Sequence, residues 1–363
     1  MITKKQADDL VYKYKNFYKK EIVINNQKLY LYNYILKDYK VLSEEPLAKE
    51  LRGLIITEDQ IFLSVPSFFN INETEETDIK NIKNCVIKKV QQKLDGSLIT
   101  PILLAGQIYC KSKGSFESIQ AKSAQNIVNQ SAELKYFILD CYDNNFQPFF
   151  ELTGTDNKHV LDQDHKQRLS LIMVRDKEGH FVDVDKFNYK YTAESYNYTW
   201  DQLLEKQQTE TGIEGFVVKY SNLSGDTKSP SKILKIKTKE FFELHKIHDE
   251  ADKYNIILKR ILEEDMDDML STVSEIKRKE LTKMYSEVSK YIVHFITEIN
   301  QITKHGDGNN RLSFVTKHKD HMFFSVIMKV LKGYDTKQTL IDYLLRKYRK
   351  EQVAKVFIEE LTT

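Results

Sequence analysis

The run Val90-Gln91-Gln92-Lys93-Leu94-Asp95-Gly96-Ser97 places a lysine just ahead of an Asp-Gly turn, between two stretches of strand-like texture at residues 85–90 and 97–104. A lysine held there is either an ordinary solvated turn residue or a nucleophile. The second role demands an unprotonated amine. An ordinary lysine, with a pKa of about 10.4, is neutral only to a few parts in ten thousand at neutral pH. Supplying the missing ~3 units takes about 4 kcal/mol of differential interaction. Lys235 and Lys237 alternate with Leu234 and Ile236, so both ammonium groups leave one face of a strand while the apolar residues leave the other. Brought near Lys93, with a divalent cation, they would supply the shift by like-charge repulsion and would neutralise a phosphate in a phosphoryl-type transfer.

Carboxylates fall where such a cation would need them. Glu151 interrupts the apolar run Pro148-Phe149-Phe150-Glu151-Leu152, which is costly unless the group is paired, hydrated or near a metal. An edge strand with its polar face in water is the other reading. Glu214-Gly215 precedes the run 216–220, and Asp95 belongs to the turn after Lys93. Asp95, Glu151 and Glu214 would hold the cation, most simply Mg²⁺ (or Mn²⁺) through its waters.

The elements that must position these groups are short. Helical spacing covers residues 1–20, and from residue 21 the texture turns to β-type runs at 22–24, 29–34, 53–57 and 61–65, with Asn25-Asn26 as a hairpin turn. Further β-type runs follow at 137–139, 149–152, 170–174, 215–220 and 233–237, with helical inserts near 115–132 and 193–206. This predicts an α+β domain of antiparallel sheets over residues 1–240. All five prolines lie at or before Pro230, and beyond it Leu281, Met284, Tyr285, Val288, Tyr291, Ile292, Phe295 and Ile299 form one helical face. An all-helical domain over 241–363 is expected.

Composition narrows the class. A chain of 363 residues with 41% hydrophobic and 30% charged residues can build about two cored domains, and its net charge of +2 creates no global basic field, so a nucleic-acid partner must be met by a local patch. Cys85, Cys110 and Cys141 lack CxxC spacing, which argues against a zinc site or a disulfide framework. No run approaches membrane-spanning length and no phosphate loop of the GxxxxGK[ST] type occurs, so a soluble, cytoplasmic protein is expected, with any nucleotide held in another way. His245/His248 and His318/His321 have i, i+3 spacing without a third ligand in view, and Arg346-Lys347-Tyr348-Arg349-Lys350 is a basic run compatible with an RNA backbone.

Taken together, Lys93-Leu94-Asp95-Gly96 resembles the KxDG nucleophile motif of covalent nucleotidyltransferases, and Phe150-Glu151-Leu152, Glu214-Gly215-Phe216-Val217 and Leu234-Lys235-Ile236-Lys237 resemble its later motifs, in order. Tyr32-Asn33-Tyr34, Leu51-Arg52-Gly53, Phe68-Phe69-Asn70, Lys111-Ser112-Lys113-Gly114-Ser115 and the segment 326–335 resemble one branch, the bacteriophage RNA ligase 1 family. The resemblance implies a nucleotidyltransferase (ATP-grasp-like ligase) domain followed by an all-α domain that selects RNA, as a monomer working in RNA repair on broken ends such as those of a cleaved tRNA. It implies that Lys93 takes AMP from ATP, that the AMP passes to a 5′-phosphate RNA end, and that a 3′-OH then seals the strand. Asp95, Glu151 and Glu214 would position the metal's water shell. Lys235 and Lys237 would contact the α-phosphate, Arg52 the outgoing phosphates, Lys113 and Glu151 the ribose, and Val217 the adenine, with Gly96 in the nucleotide-binding turn. The family usually carries a lysine where Ser67 stands, and the segment 221–232 is longer than usual. DNA ligases and mRNA guanylyltransferases, which ordinarily add an OB-type barrel after the Lys235/Lys237 strand, and an inactive nucleic-acid-binding relative are the alternatives.

Overall fold

A computed structural model describes residues 1–154, 166–222, 232–244, 251–304 and 311–362. The His245/His248 pair and most of the 221–232 segment lie outside the described residues. Contacts divide the chain into two compact units, residues 1–34 with 40–247, and residues 35–39 with 248–363.

The first unit contains every described strand. In chain order these are β1 (Phe17–Ile24), β2 (Gln27–Tyr34), β3 (Leu54–Ile56), β4 (Ile61–Phe62), β5 (Phe69–Asn70), β6 (Val86–Lys93) and β7 (Ser97–Leu104). They continue as β8 (Gln107–Lys111), β9 (Phe146–Thr153), β10 (Arg168–Asp176), β11 (Phe181–Val182), β12 (Ser195–Tyr196), β13 (Gly215–Ser221) and β14 (Lys232–Lys237). They form a sheet ordered β1-β2-β3-β4 and two five-stranded sheets, β11-β10-β9-β7-β8 and β12-β6-β13-β14-β5. Pairing is antiparallel except for β14 with β5. Asn25 and Asn26, both with positive φ (48° and 62°), close the β1–β2 hairpin; short amide side chains tolerate that conformation, and its twist matches the strands.

Three expectations change. The first helix ends at Lys13, and Phe17 and Tyr18 already belong to β1. Residues 137–139 are helical, inside the helix Ala132–Asp143. Its buried Leu134, Phe137, Ile138 and Cys141 recur at 3.6-residue spacing, a period that outranks the β-propensity of the tripeptide. Most consequentially, the strands on either side of Lys93 do not pair with each other: β6 belongs to one five-stranded sheet and β7 to the other. The Asp95-Gly96 turn is therefore a crossing between sheets rather than a hairpin reversal.

Two apolar clusters brace that crossing. Ile99, Phe150, Leu152 and Leu171 pack beneath the helices Ile119–Gln130 and Ala132–Asp143, contributed there by Val128 and Ile138. Val90, Phe216, Val218, Leu234 and Ile236 pack with Trp200 and Leu203 on the other sheet. Fully burying a large apolar side chain contributes about 1.5–3 kcal/mol, so the strand backbones carrying the polar groups are firmly held.

In the second unit every described element from Tyr254 onward is a helix. Helix Glu275–Lys304 buries Leu281, Met284, Tyr285, Val288, Ile292 and Ile299 of the expected face, leaves Tyr291 and Phe295 half-buried, and adds Ser289, Val293 and Ile296. Helix Arg311–His318 ends before His321, whose Nε2 lies 3.4 Å from Glu298 and whose Nδ1 accepts from the Phe323 amide, so His318 and His321 do not form an i, i+3 pair on one helix. Tyr348 of the basic run is buried and stacked on Phe357 at 4.1 Å, so its ring is unavailable to a nucleic-acid base. No helix among the described residues is long and apolar enough to cross a membrane.

Candidate active site

Register alone assembles half the site. On β13, Gly215 lies opposite Lys93 of β6 on one side and Lys237 of β14 on the other, and Val217 lies opposite Lys235. Glu214, immediately before Gly215, reaches both flanking lysines: Lys93 Nζ donates to Oε2 at 2.6 Å and Lys237 Nζ lies 3.0 Å from Oε1. The Lys237 ammonium also sits 4.6 Å from the Phe241 ring centroid. Leu234 and Ile236 point into the apolar cluster, so the alternation expected of β14 holds.

The second sheet supplies the rest through the crossing. β9 runs between β10 and β7, so Glu151 is on a central strand and not an edge; it stands opposite Leu98 and is largely shielded. Gly96 is pressed against this strand. A Cβ at position 96 would come 2.3 Å from the Leu152 carbonyl oxygen and 3.0 Å from Glu151 Cγ, a collision no side chain tolerates. Asp95, beside it, is buried. The two sheets thus bring Lys93, Asp95, Glu151, Glu214 and Lys237 to one junction, with Lys235 two positions before Lys237 on the same side of β14 and Arg52 close enough to act electrostatically on Glu151.

The two glutamates titrate in opposite directions. Burial pushes Glu151 up to about 8, helped by the charges of Glu214 and Asp95 and opposed by Lys93 and Arg52. Burial would raise Glu214 too, but Lys93 and Lys237 outweigh it and hold the group down at about 2. At neutral pH one carboxylate is charged and paired while its neighbour keeps a proton, a division that marks functional junctions more often than structural ones. The oxygen-only donor set suits a hard divalent cation. Direct ligation by all three acids does not fit this geometry, because among the described residues only Asp176, Glu178 and His180 bring three ligand atoms within 4.8 Å of one another. Asp95, Glu151 and Glu214 fit a cation held through its water shell.

Two further expected positions, Lys113 and Ser67, meet at Tyr34. Lys113 Nζ is 5.1 Å from the Tyr34 ring centroid, and the Tyr34 hydroxyl is 3.3 Å from Ser67 Oγ, so the serine standing where the family has a lysine is in polar contact with a tyrosine that carries a cation on its face. A cavity of about 900 Å³ is lined in part by Ser67 with Lys49, Phe68, Phe69 and Lys232; Lys93 and the two glutamates of the junction are not part of its wall. Lys111, quoted in the sequence only as part of a motif, is buried against Gly53, a placement that strand alternation does not signal.

A family model described as RNA ligase matches residues 50–254, more than half the chain. A curated protein of Thermovibrio ammonificans, named as a proposed RNA ligase, is 22% identical over 186 residues, and the match spans 48% of each chain, so this chain covers about half the length of that relative. Solved structures to which the chain shows a likeness include an archaeal ATP-dependent RNA ligase (TM-score 0.47, 11% identity, 83% of this chain and 80% of that one). They also include a proposed ATP-dependent DNA ligase from Aquifex aeolicus (0.47, 15%, 91% and 80%) and a Naegleria gruberi RNA ligase (0.36, 16%, 63% and 76%).

Proposed function

The chain belongs to the RNA ligase family, in its T4 RNA ligase 1 branch, and from that premise we propose that it is an ATP-dependent RNA ligase working through a lysyl-AMP intermediate on Lys93. The observation that carries this reading is the triad Lys93–Glu214–Lys237, in which one ionised carboxylate holds the candidate nucleophile and a second cation on adjacent strands, 2.6 and 3.0 Å away.

In the resting arrangement Lys93 donates to Glu214, which fixes the amine at the mouth of the sheet junction. The ammonium then gives up its proton to water, and the neutral amine attacks the α-phosphorus of ATP. The N–P bond forms as the bond to the bridging oxygen breaks, and pyrophosphate departs with the bonding pair. Lys237 and Lys235 would stabilise the charge building on the α-phosphate oxygens. A divalent cation, Mg²⁺ or Mn²⁺, would add charge neutralisation at the same place, held through water by Asp95, Glu151 and Glu214. The AMP next passes to the 5′-phosphate of an RNA end, and a 3′-OH attacks that activated phosphate, releasing AMP. Val217 would lie against the adenine, Lys113 and Glu151 near the ribose, and Arg52 toward the outgoing phosphates.

The domain assignment belongs to the same proposal: residues 1–240 carry adenylyl transfer and the helices after them select the RNA. DNA ligases and guanylyltransferases would follow β14 with strands, and no strand follows it among the described residues. The finer expectation of a monomer acting on cleaved tRNA in the cytoplasm is open to a direct test with broken tRNA as substrate. The central experiment is intact mass after incubation with ATP and Mg²⁺. The wild type should gain one adenylate, localised to Lys93 by peptide mapping, and Lys93→Ala should gain none. An adenylate on Lys93→Ala, or transfer from GTP in place of ATP, would refute the reading.

A further inference from the structure

Over much of the helical unit's surface, lysines are neutralised from within. Lys277, Lys279 and Lys290 of helix Glu275–Lys304 pair with glutamates three or four positions away at 3.2, 2.8 and 2.6 Å, and Lys355 pairs with Glu359 at 3.8 Å. Residues 311–350 break that pattern. They hold ten lysines and arginines against three aspartates, a net +7 in a chain whose total is +2, so the remaining residues together carry −5. Lys317 and Lys319 stand at the end of helix Arg311–His318, and Lys329 and Lys332 at the end of helix Phe324–Val330. Arg346 and Lys347 end helix Thr336–Lys347, and Arg349 and Lys350 follow it. All eight are exposed, and none forms an ion pair among the described residues. The nearby carboxylates are engaged locally: Asp335 caps helix Thr336–Lys347 by accepting from the Gln338 amide at 2.8 Å, and Asp342 accepts from the Gln338 side chain at 2.8 Å. A helix dipole favours a cation in the last turn, which accounts for Lys317, Lys329, Arg346 and Lys347 but not for the four that lie beyond helix ends.

The cations also gather in space. The Tyr343 hydroxyl donates to the Met322 carbonyl at 3.3 Å, and Lys347 Nζ lies 5.8 Å from the Tyr343 ring centroid, so the chain following Lys319 rests against the turn that carries Lys347. Helix Thr336–Lys347 is about 18 Å long and packs on helix Phe324–Val330, with Lys329 and Lys332 before its start and the other cluster at its end. Like charges this close repel within the ~8 Å screening length of physiological salt, a strain that a polyanion relieves. Rings suited to stacking on bases are mostly withdrawn: Tyr348 and Phe323 are buried, and the Tyr343 hydroxyl is engaged. Tyr334, 60% exposed, is the one exposed phenylalanine or tyrosine of the segment. Such a surface meets phosphates rather than bases, and duplex RNA, whose deep major groove hides its base edges, is held in that way.

We propose that the exposed cations of residues 317–350 form a phosphate-binding face that grips the double-helical part of a structured RNA, through its backbone and without regard to its base sequence. The proposal rests on the RNA ligase reading above and gives the helical unit's choice of RNA a physical basis in shape and charge.

Binding is measured by fluorescence anisotropy on the full chain, from about 50 to 200 mM salt, with two RNA duplexes of about 16 base pairs and unrelated sequence and with oligouridylate of equal length. All carry 5′-hydroxyl ends, so none presents a sealable phosphate. The wild type should bind both duplexes alike and more tightly than oligouridylate. Replacing Lys329, Lys332, Arg346 and Lys347 together by glutamine should weaken both duplexes by about tenfold or more and flatten the slope of log affinity against log salt by roughly 3 to 4. The melting temperature should equal or exceed that of the wild type, because mutually repelling charges are removed. Should that variant not fold, Lys329→Gln with Lys332→Gln, and Arg346→Gln with Lys347→Gln, carry the test, each pair flattening the slope by roughly 2. Tyr334→Ala should leave duplex affinity unchanged. An unaltered salt slope in a folded variant overturns the proposal, as does tighter binding of oligouridylate than of the duplexes. Loss of duplex affinity in Tyr334→Ala overturns it in favour of base stacking, and wild-type binding to phosphatidylserine vesicles but to neither duplex overturns it in favour of a membrane. A wild type that acquires adenylate from ATP while the variants bind duplex normally sinks only this inference. A wild type that acquires none sinks the parent reading.

Discussion

Replacing Glu214 by glutamine tests the junction most directly. The side chains of Glu214, Lys93 and Lys237 are 5%, 20% and 10% exposed, so the substitution strands two shielded ammonium groups without a counter-charge. The carboxyl falls from an ordinary 4.5 to about 2 in the fold, and at about 1.4 kcal/mol per unit this corresponds to roughly 3 kcal/mol of stabilisation at neutral pH. Breaking one member of a buried ion pair costs about 3–5 kcal/mol, which agrees. Because the folded pKa lies below the unfolded one, the contribution is complete above about pH 4.5 and is lost as pH falls toward 2. Trp200 is the single tryptophan and packs in the apolar cluster of the same sheet, so its fluorescence reports this unit in urea melts. Glu214→Gln should lower unfolding free energy by about 3 kcal/mol at pH 7 and should flatten the acid limb that the wild type shows below pH 4.5. Adenylate transfer to Lys93 should fall by about 100-fold or more. A variant as stable as the wild type across pH 3–7, with the same acid limb, would show that the triad does not exist in solution.

Glu151 should behave in the opposite sense: with its folded pKa raised to about 8, its contribution favours folding at low pH and is lost as pH rises from about 4.5 to 8, so Glu151→Gln should gain stability relative to wild type at pH 8 in the absence of metal. Equal pH profiles for the two proteins would contradict this. Calorimetry in buffers of different ionisation enthalpy should show Mg²⁺ binding accompanied by release of up to one proton at pH 7, since a dication beside Glu151 lowers its pKa; binding without proton release would remove Glu151 from the cation's vicinity. Gly96→Ala should cost about 2 kcal/mol or more and abolish labelling of Lys93, because the added methyl would stand 2.3 Å from the Leu152 carbonyl and must push the crossing away from β9. A Gly96→Ala protein with wild-type melting and labelling would show that this packing is absent.

Much of the junction was legible in the sequence because strand geometry is local. Alternation on β14 put Lys235 and Lys237 on one side, and the expense of Glu151 among aromatic neighbours marked it before any sheet was known. What was not legible depends on pairing between distant segments. Nothing local says that β6 and β7 part company at Lys93, and a β-Asp-Gly-β pattern reads more simply as a hairpin. The burial of Lys111 against Gly53 is likewise a contact across 58 positions, invisible to periodicity. At residues 137–139, three apolar residues favour a strand only until Leu134 and Cys141 are counted with them.

The excursion of residues 35–39 into the helical unit changes how that unit can be removed. The chain passes between the two bodies at 34/35, at 39/40 and at 247/248, so one cut in the primary structure severs one of three covalent bridges. A shortened protein ending near residue 247 would keep Leu36, fully buried here, and Tyr39, whose ring rests 5.1 Å from Tyr285, after discarding what covers them. Weak expression or clumping of such a fragment would then report two orphaned greasy side chains and say nothing about where adenylylation resides; polar replacements at Leu36 and Tyr39 are the matching control.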